Sequence, residues 1–211
     1  INEAMGANFC QLLIKLNNQG QLKGKTELSQ VFFYLLEGSC DLHLNQNKSK
    51  LKNGSYVYIP VDQSYVFDNM EEGTRILTFH KKYEPLKGHK TPEVIVSHES
   101  NAEQSIYCED PSLLMQNLLP DQDNMSFDMA VNIFTYNPGA NLPFVETHIM
   151  EHGLIYLAGQ GIYRLADKWY PVKKGDCIWM APYCPQWFGA LGKEPAVYLY
   201  YKNVNRFPTV V

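Results

Sequence analysis

The sequence predicts an all-β protein made of two barrel domains, and three observations carry that prediction. Short apolar or alternating runs follow one another at close spacing with turn signals between them, the pattern of a sandwich or barrel. The order of these runs recurs at a constant separation of 121 residues, since Gly38 answers Gly159 and Gly54 answers Gly175. Agreement at several points along one offset marks an internal repeat. Finally, 211 residues that are 45% hydrophobic and 13% aromatic supply enough apolar material for one large core or two small ones.

Taken in order, Ala7 to Leu16 alternates as a strand and Asn17-Asn-Gln-Gly20 turns it. The runs Val31 to Glu37, Cys40 to Leu44, Leu51 to Gly54, Tyr56 to Ile59, Ser64 to Phe67 and Arg75 to His80 complete the first series. In the second, Leu154-Ile-Tyr-Leu-Ala-Gly159 answers Phe33 to Gly38, and Val172-Lys-Lys-Gly175 answers Leu51 to Gly54. Met180-Ala-Pro182 answers Tyr58-Ile-Pro60, and Ala196 to Lys202 answers Arg75 to Lys81. The first barrel is therefore expected over 1–83 and the second over 125–211. Residues 84–124 read as a crossover linker, polar and proline-bearing, with Lys87-Gly-His-Lys90 as its flexible part. One short helix is predicted there, Pro111 to Leu119, because proline suits a first helical turn.

Composition narrows the function. A net charge of −4 with no basic cluster argues against nucleic acid as the main partner. No apolar run approaches the ~20 residues of a membrane span, and no signal peptide is visible. The five cysteines are odd in number, scattered and without a CxxC pair, which suits a reducing, cytoplasmic setting better than a disulfide scaffold or a thiolate zinc site. Cys184 reads as a small buried residue.

Chemistry concentrates in Glu146-Thr-His148-Ile-Met-Glu-His152. Read as a strand, residues 146, 148 and 152 share one parity, which brings a carboxylate and two imidazoles to one face as a candidate metal site. Glu151 has the opposite parity and faces away. Packed or hydrogen-bonded histidines remain the alternative on this local pattern alone, although two of the six histidines fall within five residues, in phase with Glu146. A further ligand has to come from a neighbouring strand, and the turn from Pro182 to Pro185 shapes the chain so that Gln186 can face inward. By itself, a glutamine after a proline reads as structural. At the repeat offset Glu146, His148 and His152 fall on Lys25, Glu27 and Val31, with Gln186 near Ser64 or Tyr65, so the first barrel is expected to lack the metal. His43 and His80 read as surface or packing residues.

The spacing Gly139-x6-Glu146-x-His148-x3-His152-x6-Gly159, then Gly175-x6-Pro182-x3-Gln186, resembles the two cupin motifs. The duplicated chain is thus similar to a bicupin, two double-stranded β-helix (jelly-roll) barrels. Where the common cupin pattern carries His-x-His, a glutamate and a histidine, this chain carries Glu, His, His and Gln. That departure resembles the (S)-ureidoglycine aminohydrolase family, as do Gly161 to Leu165, Trp169 to Val172, Ile178 to Pro182 and Tyr201 to Arg206. The likeness is dense from about 139 to 206 and thinner in the first half, through Met5 to Phe9 and Leu35 to Gly38.

The resemblance implies a hydrolase acting on a C–N bond. It would release ammonia from (S)-ureidoglycine to leave (S)-ureidoglycolate in allantoin and purine breakdown, with one Mn²⁺ per chain. Carried onto this sequence, the metal ligands are Glu146, His148, His152 and Gln186, and Tyr163, Tyr198, Lys202 and Glu146 meet the substrate. Glu146 and Lys202 are the catalytic pair, with Glu146 serving in proton transfer. A homo-oligomer is expected. Tyr198 and Lys202 share parity on the last strand and Tyr163 shares parity with Gly159 and Gly161, whereas Arg164 faces outward. Without the resemblance, a core tyrosine and an exposed lysine would account for Tyr198 and Lys202. Lys81, at the repeat offset from Lys202, raises the further alternative of a barrel-edge lysine in both copies. Two other readings compete: a different metal-dependent cupin enzyme, such as a dioxygenase or isomerase, and a non-enzymatic ligand-binding bicupin. Fold alone does not separate them.

Overall fold

The computed structural model describes residues 1–120 and 124–207, so 121–123 of the expected linker and 208–211 of the expected second barrel lie outside the described residues. Contacts divide the chain between Asn101 and Ala102, inside the stretch expected to be linker.

The first unit consists of β1 (Cys10–Lys15), β2 (Leu22–Lys25), β3 (Ser29–Glu37), β4 (Ser39–Leu44), β5 (Asn47–Lys52), β6 (Ser55–Ile59), β7 (Ser64–Asp68), β8 (Arg75–Lys82) and β9 (Ile95–His98). They form two antiparallel sheets, β1-β8-β3-β6-β9 and β2-β7-β4-β5. Alternating side chains of β3 and β7 turn inward, and Val31, Phe33, Leu35, Tyr65 and Phe67 fill the interior.

The second unit consists of β10 (Gln104–Tyr107), β11 (Asp110–Asn117), β12 (Met129–Tyr136), β13 (His152–Ala158), β14 (Gln160–Leu165), β15 (Lys168–Lys173), β16 (Cys177–Met180), β17 (Gln186–Leu191) and β18 (Ala196–Asn203). Its sheets run β10-β11-β12-β18-β13-β16 and β15-β14-β17. The order β12-β18-β13-β16 repeats β1-β8-β3-β6, and the ends of β14 and β15 lie 121 residues beyond those of β4 and β5. Aromatic residues again dominate the core, with Tyr136, Tyr156, Phe188 and Tyr198 in mutual contact.

Sheet register corrects the residue pairing inferred from a uniform offset. Val31 lies opposite His80, and His152, 121 residues after Val31, lies opposite Lys202. Lys202 therefore corresponds in space to His80, 122 residues earlier, and not to Lys81, because one extra residue enters between β17 and β18. Leu44 lies opposite Tyr65 and Leu165 opposite Gln186, so Gln186 corresponds to Tyr65. Tyr65 pairs with Gly24 and Gln186 bridges to Glu146, so Glu146 corresponds to Gly24 and not to Lys25.

The helix expected over Pro111 to Leu119 is not formed; Asp110–Asn117 is β11, paired to β10 on one side and β12 on the other. The two-sided pairing satisfies its backbone and outweighs local helix propensity. Pro111 sits next to the strand's start, where a missing N–H is tolerated. All five cysteines carry free thiols. Among the described residues no helix is long and apolar enough to cross a membrane.

Candidate metal centre

The segment leading to His152 is not the continuous strand expected from its parity. Its backbone pairs with β17 at two isolated bridges, Asn141 with Gly189 and Glu146 with Gln186, and Trp187 Nε1 donates to the Leu142 carbonyl at 2.7 Å. Between these bridges the segment advances five residues while β17 spans three, so the extra residues, Pro143 among them, leave the ladder and pairing reduces to single bridges. The strand proper, β13, begins at His152. Glu146 and Gln186 exchange both backbone hydrogen bonds, at 2.8 and 2.9 Å, and so hold their side chains as neighbours. Tyr183, in a left-handed conformation (φ 62°), donates its N–H to the His148 carbonyl at 2.7 Å. The Pro182 to Pro185 turn thereby pins His148 while it aims Gln186 inward.

The side chains converge although the regular strand is absent. His148 Nε2 stands 3.1 Å from His152 Nε2 and 2.9 Å from the Gln186 amide nitrogen. Each imidazole turns Nδ1 toward a backbone carbonyl, His148 to Met150 at 3.1 Å and His152 to Tyr201 at 3.3 Å. A carbonyl only accepts, so both Nδ1 atoms carry the proton and both Nε2 lone pairs face the same point. Two lone pairs so aimed repel one another unless a cation lies between them. Burial, then His148, then Lys202 push the His152 pKa down to about 3, which keeps its ring neutral.

The residues present fit a hard divalent ion. Neighbouring ligands at right angles and ~2.1 Å from an ion keep their donor atoms about 3 Å apart, close to the two separations seen here. Rotating the Gln186 amide by half a turn puts Oε1 where its nitrogen stands and leaves the NH₂ beside the Tyr163 hydroxyl, which now donates to Oε1 at 3.4 Å. The Glu146 carboxylate stands in the cavity wall and accepts from the Tyr107 hydroxyl at 3.1 Å. Among the described residues no three His, Cys, Asp or Glu side chains are grouped as an ion would need them, so the Glu146 carboxylate is not drawn in beside the two imidazoles, and the cluster that does form is His148, His152 and the Gln186 amide.

The cavity has a volume of about 170 Å³ and is lined by all seven predicted site residues: Glu146, His148, His152, Tyr163, Gln186, Tyr198 and Lys202. It is smaller than the ~300–1,000 Å³ of drug-sized pockets and admits only a small molecule. Lys202 lies across the ladder from His152, and Tyr198 hydrogen-bonds the Tyr136 hydroxyl at 2.8 Å. Burial raises the pKa of both Tyr163 and Tyr198, so both phenols stay protonated. Glu151 faces away, its carboxylate accepting from Trp179 Nε1 at 3.2 Å, and Arg164 lies over the Trp169 ring outside the cavity. His43 pairs with Asp68 at 2.9 Å and His80 packs edge-on to Phe33, as expected of surface and packing residues. Cys184 is half-buried. Tyr107 was not foreseen, because it belongs to a stretch that reads as linker and no periodicity marks it.

Two antiparallel sheets closing on a small cavity of imidazole, amide and carboxylate define a cupin barrel, and a cupin-domain family model matches residues 132–201. Over 211 residues the chain is 36% identical to (S)-ureidoglycine aminohydrolase of Arabidopsis thaliana, covering 99% of this chain and 68% of that protein. It is 32% identical over 206 residues to (S)-ureidoglycine aminohydrolase of Escherichia coli (strain K12), covering 96% and 78%. The crystal structure of protein Ylba from E. coli superposes with a TM-score of 0.86 at 28% identity, covering 100% of this chain and 83% of that one. The chain belongs to the (S)-ureidoglycine aminohydrolase family of cupins, as the motif resemblance implied.

Proposed function

We propose that the C-terminal barrel binds one Mn²⁺ through Glu146, His148, His152 and Gln186 and hydrolyses (S)-ureidoglycine to (S)-ureidoglycolate and ammonia. The observation that carries this reading is the convergence of both histidine Nε2 atoms and the Gln186 amide on one point of a small cavity, in a chain of this family. Carboxylate, imidazole and amide oxygen form a donor set hard enough for Mn²⁺. When bound, the ion supplies positive charge that orients and polarises an anionic substrate.

The chain's own groups do the rest. Lys202 places an ammonium at the cavity wall, opposite His152, where it favours the substrate carboxylate. Tyr163 and Tyr198, kept protonated by burial, offer neutral hydrogen bonds without adding charge. Water adds at the carbon that bears the amine, and Glu146 relays the proton this water loses to the departing nitrogen, because ammonia leaves far more readily than amide anion. One C–N bond breaks, one C–O bond forms, the water's other proton stays on the product hydroxyl, and the carboxylate is regenerated. The test is ammonia release from freshly generated ureidoglycine by Mn²⁺-loaded and chelator-stripped protein. Release by the loaded form alone, at one Mn²⁺ per chain, is expected. Loaded protein that releases no ammonia above the uncatalysed rate would refute the reading in favour of another cupin chemistry.

A further inference from the structure

The hairpin of β10 and β11 is the part of the second unit that the first unit lacks. In the first unit β1 is the edge of its sheet, whereas its counterpart β12 is covered by β11 and then β10. The hairpin turns at Cys108 and Glu109, both with positive φ (52° and 60°), as a tight two-residue turn of the primed type requires. Tyr107 is the last residue before that turn. Its ring meets Phe134 edge-on, with centroids 4.9 Å apart at 87°, and its hydroxyl donates to Glu146 Oε1 at 3.1 Å. The tyrosine lines the same cavity as the two histidines and Gln186.

From this juxtaposition we infer that Tyr107 is a positioning residue that fixes the Glu146 carboxylate in the cavity wall beside the metal centre. The inference rests on the Mn²⁺ reading of the site. A glutamate has three side-chain torsions, and neither the backbone bridge to Gln186 nor the cavity wall fixes the last of them. A hydrogen bond to Oε1 from a ring that Phe134 holds edge-on fixes that torsion and leaves Oε2 free as a donor. Groups that orient a ligand in this way typically contribute 10–100-fold to metal affinity or activity. The first unit, without the hairpin, carries Gly24 at the corresponding position and has no carboxylate to orient.

Tyr107→Phe keeps the ring and the Phe134 contact and removes only the hydroxyl. Mn²⁺ affinity, measured by competition with a chelator, should fall about 10-fold in this variant, and the Mn²⁺ EPR spectrum of the loaded protein should change. The thermal midpoint of the metal-free protein should stay put, as should every readout in Tyr170→Phe, an exposed tyrosine on β15. In Glu146→Ala, which removes the acceptor, the same Tyr107→Phe change should cost little further affinity, a non-additivity that a purely structural tyrosine would not show. Wild-type Mn²⁺ affinity and an unaltered spectrum in Tyr107→Phe would overturn the inference alone. Wild-type protein that takes up no Mn²⁺ would overturn the metal reading and this inference with it.

Discussion

The two barrels share strand order and spacing but use the same interior positions in opposite ways. In the first, Gly24 and Tyr65 stand where the second carries Glu146 and Gln186, Val31 stands for His152, and His80 for Lys202. The Tyr65 ring reaches into the interior, 5.2 Å from Phe33 and 5.9 Å from Phe67. Gly24 is what lets it lie there, since a Cβ at that position would stand 2.5 Å from the Tyr65 hydroxyl. In the second barrel the corresponding space is a polar cavity, and the aromatic residues form its floor and walls. One topology thus supports a filled barrel when these positions carry Gly, Tyr, Val and His and a hollow one when they carry Glu, Gln, His and Lys. The difference teaches that a few substitutions at fixed ladder positions turn a filled barrel into one with a cavity, with the frame unchanged.

The contrast is broken most sharply at His148. Replacing it with alanine should empty the second barrel of metal and abolish ammonia release, while elemental analysis of the wild-type protein should give one ion per chain. Two ions per chain would mean that the filled barrel also binds metal. Next in size, Tyr65→Ala should lower urea stability by about 3–5 kcal/mol through the cavity it opens, yet leave metal content unchanged. Loss of metal in this variant would show that the two barrels are not functionally separate.

Lys202→Met should cut kcat/KM by at least ~100-fold, about 2.7 kcal/mol, and keep both fold and metal. Lys81→Met is expected to leave kcat/KM unaltered, because Lys81 points away from its barrel interior and pairs with Glu84 at 3.3 Å. His80→Ala, at the true counterpart of Lys202, should also spare the rate. Equally harmless substitutions at Lys202 and Lys81 would restore the barrel-edge reading of Lys202.

The smallest effect concerns pH. His152 titrates near 3 in the folded, metal-free chain and near ~6.5 when unfolded. Between these values the unfolded chain holds the extra proton, so the metal-free protein loses stability as pH falls, by at most ~1.4 kcal/mol per pH unit from this residue. His152→Val, which installs the residue found in the first barrel, should flatten the decline seen in urea midpoints between pH 7 and 5. An equally steep decline in the variant would assign the effect to other groups.

Much was legible in the sequence because repeats and motifs are local records. Paired glycines at a constant offset gave the two copies, and the Glu, His, His and Gln spacing gave the family and four residues that line one cavity. What misled was equally local. Pro111 to Leu119 has the residues of a helix, but its apolar side chains and open backbone groups are better satisfied between β10 and β12, which the sequence of that segment does not contain. The strand parity that brought Glu146, His148 and His152 together does not describe the backbone there. Two bridges and the hydrogen bond from Tyr183 to His148 place these residues around one cavity, where His148 meets His152 and Gln186.

Taken alone, then, the sequence determined the all-β class, the family and the set of residues that line the cavity of the second barrel, because side-chain chemistry and spacing are written along the chain. Only the tertiary structure decided which residues face each other. It shifted Lys202 from Lys81 to His80 through one extra residue in a turn, and it brought Tyr107 from a supposed linker to the carboxylate of Glu146. Register and long-range pairing are set by hydrogen bonds between strands far apart in sequence, and no local pattern encodes them.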